Sequence, residues 1–141
     1  DIELGRSEVL IKGEDLALLA YGSMVNTAYQ VAAALQKENL NPYLVNLRFA
    51  KPLDSGLILD IAGKVNHILI LEEGSFLGGI AESISALLAN NNMPVKIIAC
   101  AIEDKFVTYG SRSILLNIAG LDKDSIVNRI KTAISEKTWQ R

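Results

Sequence analysis

The chain has 141 residues, half of them apolar, enough for one domain with its own core and too few for two ordinary ones. Fourteen basic and sixteen acidic residues leave a net charge of −2, and Lys and Arg nowhere gather into a run, which argues against nucleic acid or an anionic membrane as a partner. A single cysteine, Cys100, excludes an internal disulfide and any CxxC pair, and no stretch approaches the roughly 18 apolar residues of a membrane span.

The chain opens on Asp1 with no signal-peptide pattern, so the expectation is one domain over residues 1–141, part of a longer polypeptide in the cytosol or an organelle matrix. SEVLIKGED then alternates around Val9 and Ile11 and turns at Gly13, too close to the next apolar run for a crossover. A hairpin or an edge excursion fits that link. LALLAY (16–21), PYLVNL (42–47), HILIL (67–71) and VKIIACA (95–101) follow as short apolar runs that read as buried strands, with Cys100 as a small core residue in the last.

Between the strands lie helix-period segments. MVNTAYQVAAALQKE (24–38) places Val25, Tyr29, Ala32 and Ala33 on one stripe, and Leu57, Ile58, Ile61 and Val65 repeat the pattern. GGIAESISALLANN (78–91), SRSILLNIAG and DKDSIVNRIKTAISEK supply three more. Asp54, Ser111 and Asp122 stand where a side-chain oxygen can cap a helix. Such alternation predicts an α/β domain with a mostly parallel sheet between helices.

In a parallel sheet the turns after the strands share one edge. Here that edge would carry Tyr21, Arg48, Phe49, Lys51, Glu72, Glu73, Phe76, Glu103, Asp104, Lys105 and Phe106. Open α/β sheets bind ligands there, but aromatic residues among Arg and carboxylates equally describe a protein-docking surface. The turn EEGSFLGG matches neither GxGxxG nor GxxxxGK[ST], and Glu72 and Glu73 would repel a phosphate with no nearby lysine. Gly78 and Gly79 are therefore expected to permit close helix packing or backbone contact. His67, the only histidine, begins a strand and so lies at the opposite edge from these turns, which leaves no Ser/His/Asp or Cys/His arrangement. A metal site would need Glu72, Glu73, Glu103 and Asp104, whose spacing is specific to none, and ion pairs with Arg48 or Lys105 explain them better.

Taken in order, GEDLALLAYGSMV, LVNLRFAKPLD, LEEGSFLGGIAESI, EDKFVTYGSRSILL and GLDKDSI resemble the C-terminal domain of the 1-deoxy-D-xylulose-5-phosphate synthases of the transketolase superfamily. RxxxPLD is shared widely in that superfamily, whereas DKF followed by GSR and GLD points to the synthases. The resemblance implies a three-layer α/β/α fold whose five-stranded mixed sheet has the order 1-3-2-4-5 with strand 1 antiparallel. It implies a homodimeric enzyme, bacterial and cytoplasmic or in the plastid matrix. That enzyme uses thiamine diphosphate and Mg²⁺ to decarboxylate pyruvate and join the two-carbon unit to glyceraldehyde 3-phosphate, feeding isoprenoid and thiamine biosynthesis. In the family the cofactor lies between preceding domains that carry a GDG metal motif, channel histidines and an activating glutamate, none of which is present here. No catalytic, cofactor-binding or metal residue is therefore carried over. Arg48, Pro52, Asp54, Glu73, Gly78, Gly79, Asp104 and Phe106 match the motifs, and the resemblance gives them structural or domain-contact roles toward the preceding domains. Glu103 and Tyr109 depart from the Pro and His common in the family. Two alternatives stay open: the C-terminal domain of a transketolase or of a 2-oxoacid dehydrogenase β subunit, and a stand-alone module binding a nucleotide or acyl carrier.

Overall fold

The run LALLA forms β2 (Leu16–Ala20), a strand buried along its whole length, which is why it reads as continuously apolar rather than alternating. The structure, a computed structural model, describes residues 2–103 and 109–135. In chain order its elements are β1 (Glu8–Ile11), β2, α1 (Met24–Gln36), β3 (Pro42–Asn46), α2 (Ser55–Ala62), β4 (His67–Ser75), α3 (Ile80–Asn90), β5 (Lys96–Ile102), α4 (Arg112–Ile118) and α5 (Lys123–Ser135). They build one five-stranded sheet in the order β1-β3-β2-β4-β5. Strands β3, β2, β4 and β5 are parallel, and β1 lies antiparallel to β3. This is the mixed sheet the resemblance implies.

Between the two options for the first strand, the edge excursion is the one adopted. β1 pairs with β3, Glu8 opposite Asn46, and β3 separates it from β2. The link is tied down where it passes the start of β3: the Glu14 and Asp15 N–H groups donate to the Asn41 carbonyl, and the Asp15 carboxylate accepts from the Asn41 N–H at 2.6 Å.

Side chains alternate across the pleat, so each central strand feeds two cores. Leu16, Leu18, Leu44, Leu69 and Leu71 pack under α1 and α5, while Ala17, Leu19, Val45, Ile68 and Ile70 pack under α2 and α3. The stripe expected for the first helix is displaced. Met24, Ala28, Val31, Ala32 and Leu35 are buried, while Tyr29 is 44% exposed and Ala33 is exposed. Alanine carries little directional signal, so the larger Met24, Val31 and Leu35 decide which face turns inward. In α2, Ile58, Ile61 and Ala62 are buried, Leu57 is half-buried, and the helix ends before Val65, which is buried beyond it. No described helix is long and apolar enough to cross a membrane.

Of the three expected caps, two act as such. Asp54 accepts from the Leu57 N–H at 3.4 Å, and Asp122 accepts from the N–H groups of Asp124 and Ser125. Ser111 stands at the cap of α4 without a side-chain bond to that helix's backbone; its hydroxyl pairs with that of Ser113 instead.

Candidate functional site at the C-terminal edge of the sheet

After β2 the chain moves to β3 on one side, and after β4 it moves to β5 on the other. The crevice between β2 and β4 is therefore the topological switch point, where open α/β sheets bind ligands. Side chains from separate elements of the chain meet beside it. Ser23, just before α1, donates its hydroxyl to Glu73 at 2.6 Å. Arg112, at the start of α4, closes on the same carboxylate with Nε at 3.0 and 3.2 Å and Nη2 at 2.6 Å. Three separate elements thus meet on Glu73. The bonds from Arg112 and then Ser23 outweigh partial burial and hold the Glu73 carboxyl below its ordinary range, and the same contact raises the Arg112 guanidinium.

Glu72, one residue earlier on the pleat, points the other way and is buried. Its carboxylate accepts from the Ile80 N–H at 3.1 Å and the Ala81 N–H at 2.8 Å, satisfying donors in the first turn of α3. The glycine-rich turn does hold an anion, and the anion is its own glutamate. Gly79 makes this possible: a Cβ there would overlap the Ser75 carbonyl oxygen and lie 2.6 and 2.8 Å from the two Glu72 oxygens. Gly78 supplies the left-handed backbone of the turn at φ +75, and its N–H donates to Glu82 at 2.6 Å. The repulsion argued for Glu72 from sequence is thus replaced by occupation.

The remaining motif residues sit farther along the edge. Arg48 lies in left-handed backbone at φ +55, with its N–H on the Asn46 side-chain oxygen at 3.1 Å. Its guanidinium pairs with Glu8 on β1 at 2.7 Å. Pro52, joined to Lys51 by a cis peptide, lies against Gly5. Asp54 is buried, accepts from the Ser7 N–H at 2.9 Å as well as from Leu57, and has Arg6 at 3.6 Å. Asp104, Lys105 and Phe106 lie outside the described residues. His67 begins β4 and is buried at the far end of the sheet. Burial also pushes the Cys100 thiol up, against a smaller pull from Arg129.

Sequence reasoning missed three partners: Ser23 and Arg112 on Glu73, and Glu8 on Arg48. Ser23 and Arg112 lie 50 and 39 residues from Glu73. The available signal was that YGSM and EEGS fall at strand ends and YGSR at the start of the helix after β5.

The class is an α/β domain with a mixed five-stranded sheet whose switch point carries two carboxylates, each bonded to groups of the same chain. The chain belongs to the transketolase C-terminal domain family, whose model matches residues 5–126. It is similar to the 1-deoxy-D-xylulose-5-phosphate synthase of Gloeobacter violaceus, at 37% identity over 134 residues, 95% of this chain and 21% of that enzyme. The Chlorobium luteolum enzyme of the same name is 37% identical over 130 residues, 92% of this chain and 21% of its own length. The chain thus spans about a fifth of these relatives. Among solved structures, a split-gene transketolase, an inactive β4 tetramer, superposes with a TM-score of 0.87 at 26% identity, covering 95% of this chain and 44% of that one. Campylobacter jejuni transketolase shares the fold, with a TM-score of 0.66 at 17% identity over 91% of this chain and 18% of its own.

Proposed function

We propose that the chain is the C-terminal structural and dimer-stabilising domain of a 1-deoxy-D-xylulose-5-phosphate synthase, docked on preceding domains of the same polypeptide that bind thiamine diphosphate and Mg²⁺. The observation that carries this reading is the 37% identity over 134 residues to a synthase of which the matched stretch is 21%. The whole enzyme, on this reading, condenses pyruvate, with loss of CO₂, and glyceraldehyde 3-phosphate. Arg48, Pro52, Asp54, Glu73, Gly78 and Gly79 then serve to shape and present the edge, as do Asp104 and Phe106 in the motif that follows β5.

The residues in hand do not fit the cofactor. Among the described residues no three His, Cys, Asp or Glu side chains gather as a metal site. The start of α3 at the switch point already carries the Glu72 carboxylate. No catalytic step is assigned to this chain.

A chimera tests the reading. Replacing the matched fifth of the Gloeobacter violaceus synthase with this chain should preserve 1-deoxy-D-xylulose 5-phosphate formation, and the 141-residue chain alone should neither decarboxylate pyruvate nor bind thiamine diphosphate in calorimetric titration. A folded but inactive chimera, or micromolar cofactor binding by the chain alone, would overturn it.

A further inference from the structure

The ladder between β1 and β3 begins at Glu8, so strand pairing does not hold residues 5–7. Each of them, and Glu8 after them, instead meets the RxxxPLD turn. A Cβ on Gly5 would stand 2.7 Å from Pro52 Cγ. Ser7 donates its N–H to Asp54 Oδ2 at 2.9 Å and its hydroxyl to the Leu47 carbonyl at 3.2 Å. The Arg6 guanidinium lies 3.6 Å from the Asp54 carboxylate, and the Glu8 carboxylate 2.7 Å from the Arg48 guanidinium.

The turn is shaped for this segment. Arg48 stands at φ +55, a conformation that a residue other than glycine keeps only where its surroundings impose it, and the Asn46 side chain fixes it by accepting the Arg48 N–H at 3.1 Å. The guanidinium is thereby delivered to Glu8. Asp54, which is buried, gives Oδ1 to the Leu57 N–H at the start of α2 and Oδ2 to Ser7, so one carboxylate joins the entering segment to a helix. The contacts are also selective. Gly5 sits at φ +73 with no room for a side chain, which excludes other residues there. The segment brings a cation where the turn has an anion, and an anion where the turn has a cation, so a segment of opposite polarity would set like charges together. Arg6 is exposed and shared with Glu3 at 3.4 Å, so its pair orients the segment while the Ser7 N–H holds it.

We propose that the RxxxPLD turn is a peptide socket whose ligand is the chain's own segment Gly5–Glu8, and that it fixes the direction from which preceding polypeptide enters the domain. The socket stands on the contacts above; its use in placing other domains rests on the synthase reading. Arg48 and Asp54 are on this account positioning residues: they act on the entering segment.

The test is amide hydrogen exchange of the 141-residue chain, read residue by residue by NMR, with a free peptide of residues 1–11 as the unprotected reference. The Ser7 N–H should exchange at least about tenfold more slowly in the chain than in the peptide. Asp54→Asn keeps an oxygen for the helix, since asparagine caps about as well as aspartate, but removes the charged acceptor of Ser7. It should speed Ser7 exchange about tenfold or more, while Leu57 in α2, Leu18 in β2 and Leu69 in β4 keep the parent's rates. A role confined to capping α2 would move Leu57 instead. Gly5→Ala should act on Ser7 in the same way and open the Arg6–Ser7 bond to trypsin. Ser7 exchanging as fast as in the peptide, an Asp54→Asn rate equal to the parent's, or an acceleration shared by Leu18 and Leu69 would overturn the assignment. An inactive chimera with this exchange pattern intact would instead refute the synthase reading and leave the socket standing.

Discussion

Gly79→Ala adds one methyl group, and the structure places it against a backbone carbonyl and a hydrogen-bonded carboxylate. The new Cβ would overlap the Ser75 carbonyl oxygen and stand 2.6 and 2.8 Å from the Glu72 oxygens, well inside ordinary van der Waals contact. Backbone strain is not the cause, because φ −84 and ψ −178 suit any residue. Either α3 lifts from the sheet or the carboxylate withdraws from the Ile80 and Ala81 N–H groups. Overpacking costs about 1–3 kcal/mol, and hydrogen bonds to a charged group contribute about 1.5–3 kcal/mol each. A loss of about 3 kcal/mol follows if the carboxylate keeps partial contact. At a urea slope of about 2 kcal/mol/M, the midpoint should fall by about 1.5 M. Two companions isolate the cause. Gly78→Ala meets nothing within 4 Å and should cost only the left-handed penalty of about 1–2 kcal/mol. Glu72→Ala combined with Gly79→Ala should cost less than the sum of the two, since the carboxylate clash is counted once. A Gly79→Ala midpoint within about 0.2 M of the parent, or strict additivity, would refute the account of the turn.

Asp54→Ala should cost about 2 kcal/mol in chemical denaturation, because it strips both the Leu57 cap and the Ser7 N–H of their acceptor, whereas a cap lost alone costs about 1 kcal/mol. Gly56→Ala, in the first turn of α2 with open space around it, should raise the urea midpoint by an amount equivalent to about 0.5–1 kcal/mol. Arg112→Ala should make stability less sensitive to acid: the folded Glu73 carboxyl is held below its unfolded value, so its contribution is complete above the unfolded value and is lost as pH falls through the folded one. Parent and variant curves should therefore differ near neutrality and converge in acid, and a gap that stays constant with pH would exclude Glu73 as the mediator. Cys100, fully buried with its thiol pushed up, should resist a thiol-specific chromogenic reagent in native buffer and react in full once urea unfolds the chain.

The elements that period and composition made legible are those whose signal is local. LALLA, PYLVN and the apolar start of β4 are strands because no helix face needs so many consecutive apolar residues, and Asp54 caps α2 because the carboxylate and the N–H it accepts lie three residues apart. Motif order along the chain likewise carried the sheet order, through resemblance rather than through periodicity. What tertiary structure alone decided lies where the partner is distant. The stripe of α1 turned on which of its many similar small residues faced Leu16, Leu18 and Leu44. β1 had two possible neighbours, and in the fold it pairs with β3, with the link held at Asn41 and Glu8 on Arg48. At the switch point, two adjacent glutamates leave the pleat in opposite directions, one to the start of α3 and one to Ser23 and Arg112, so that identical side chains perform different work. A carboxylate's role is set by which N–H or guanidinium it meets, and that depends on where the folded backbone brings residues 8 to 50 positions away.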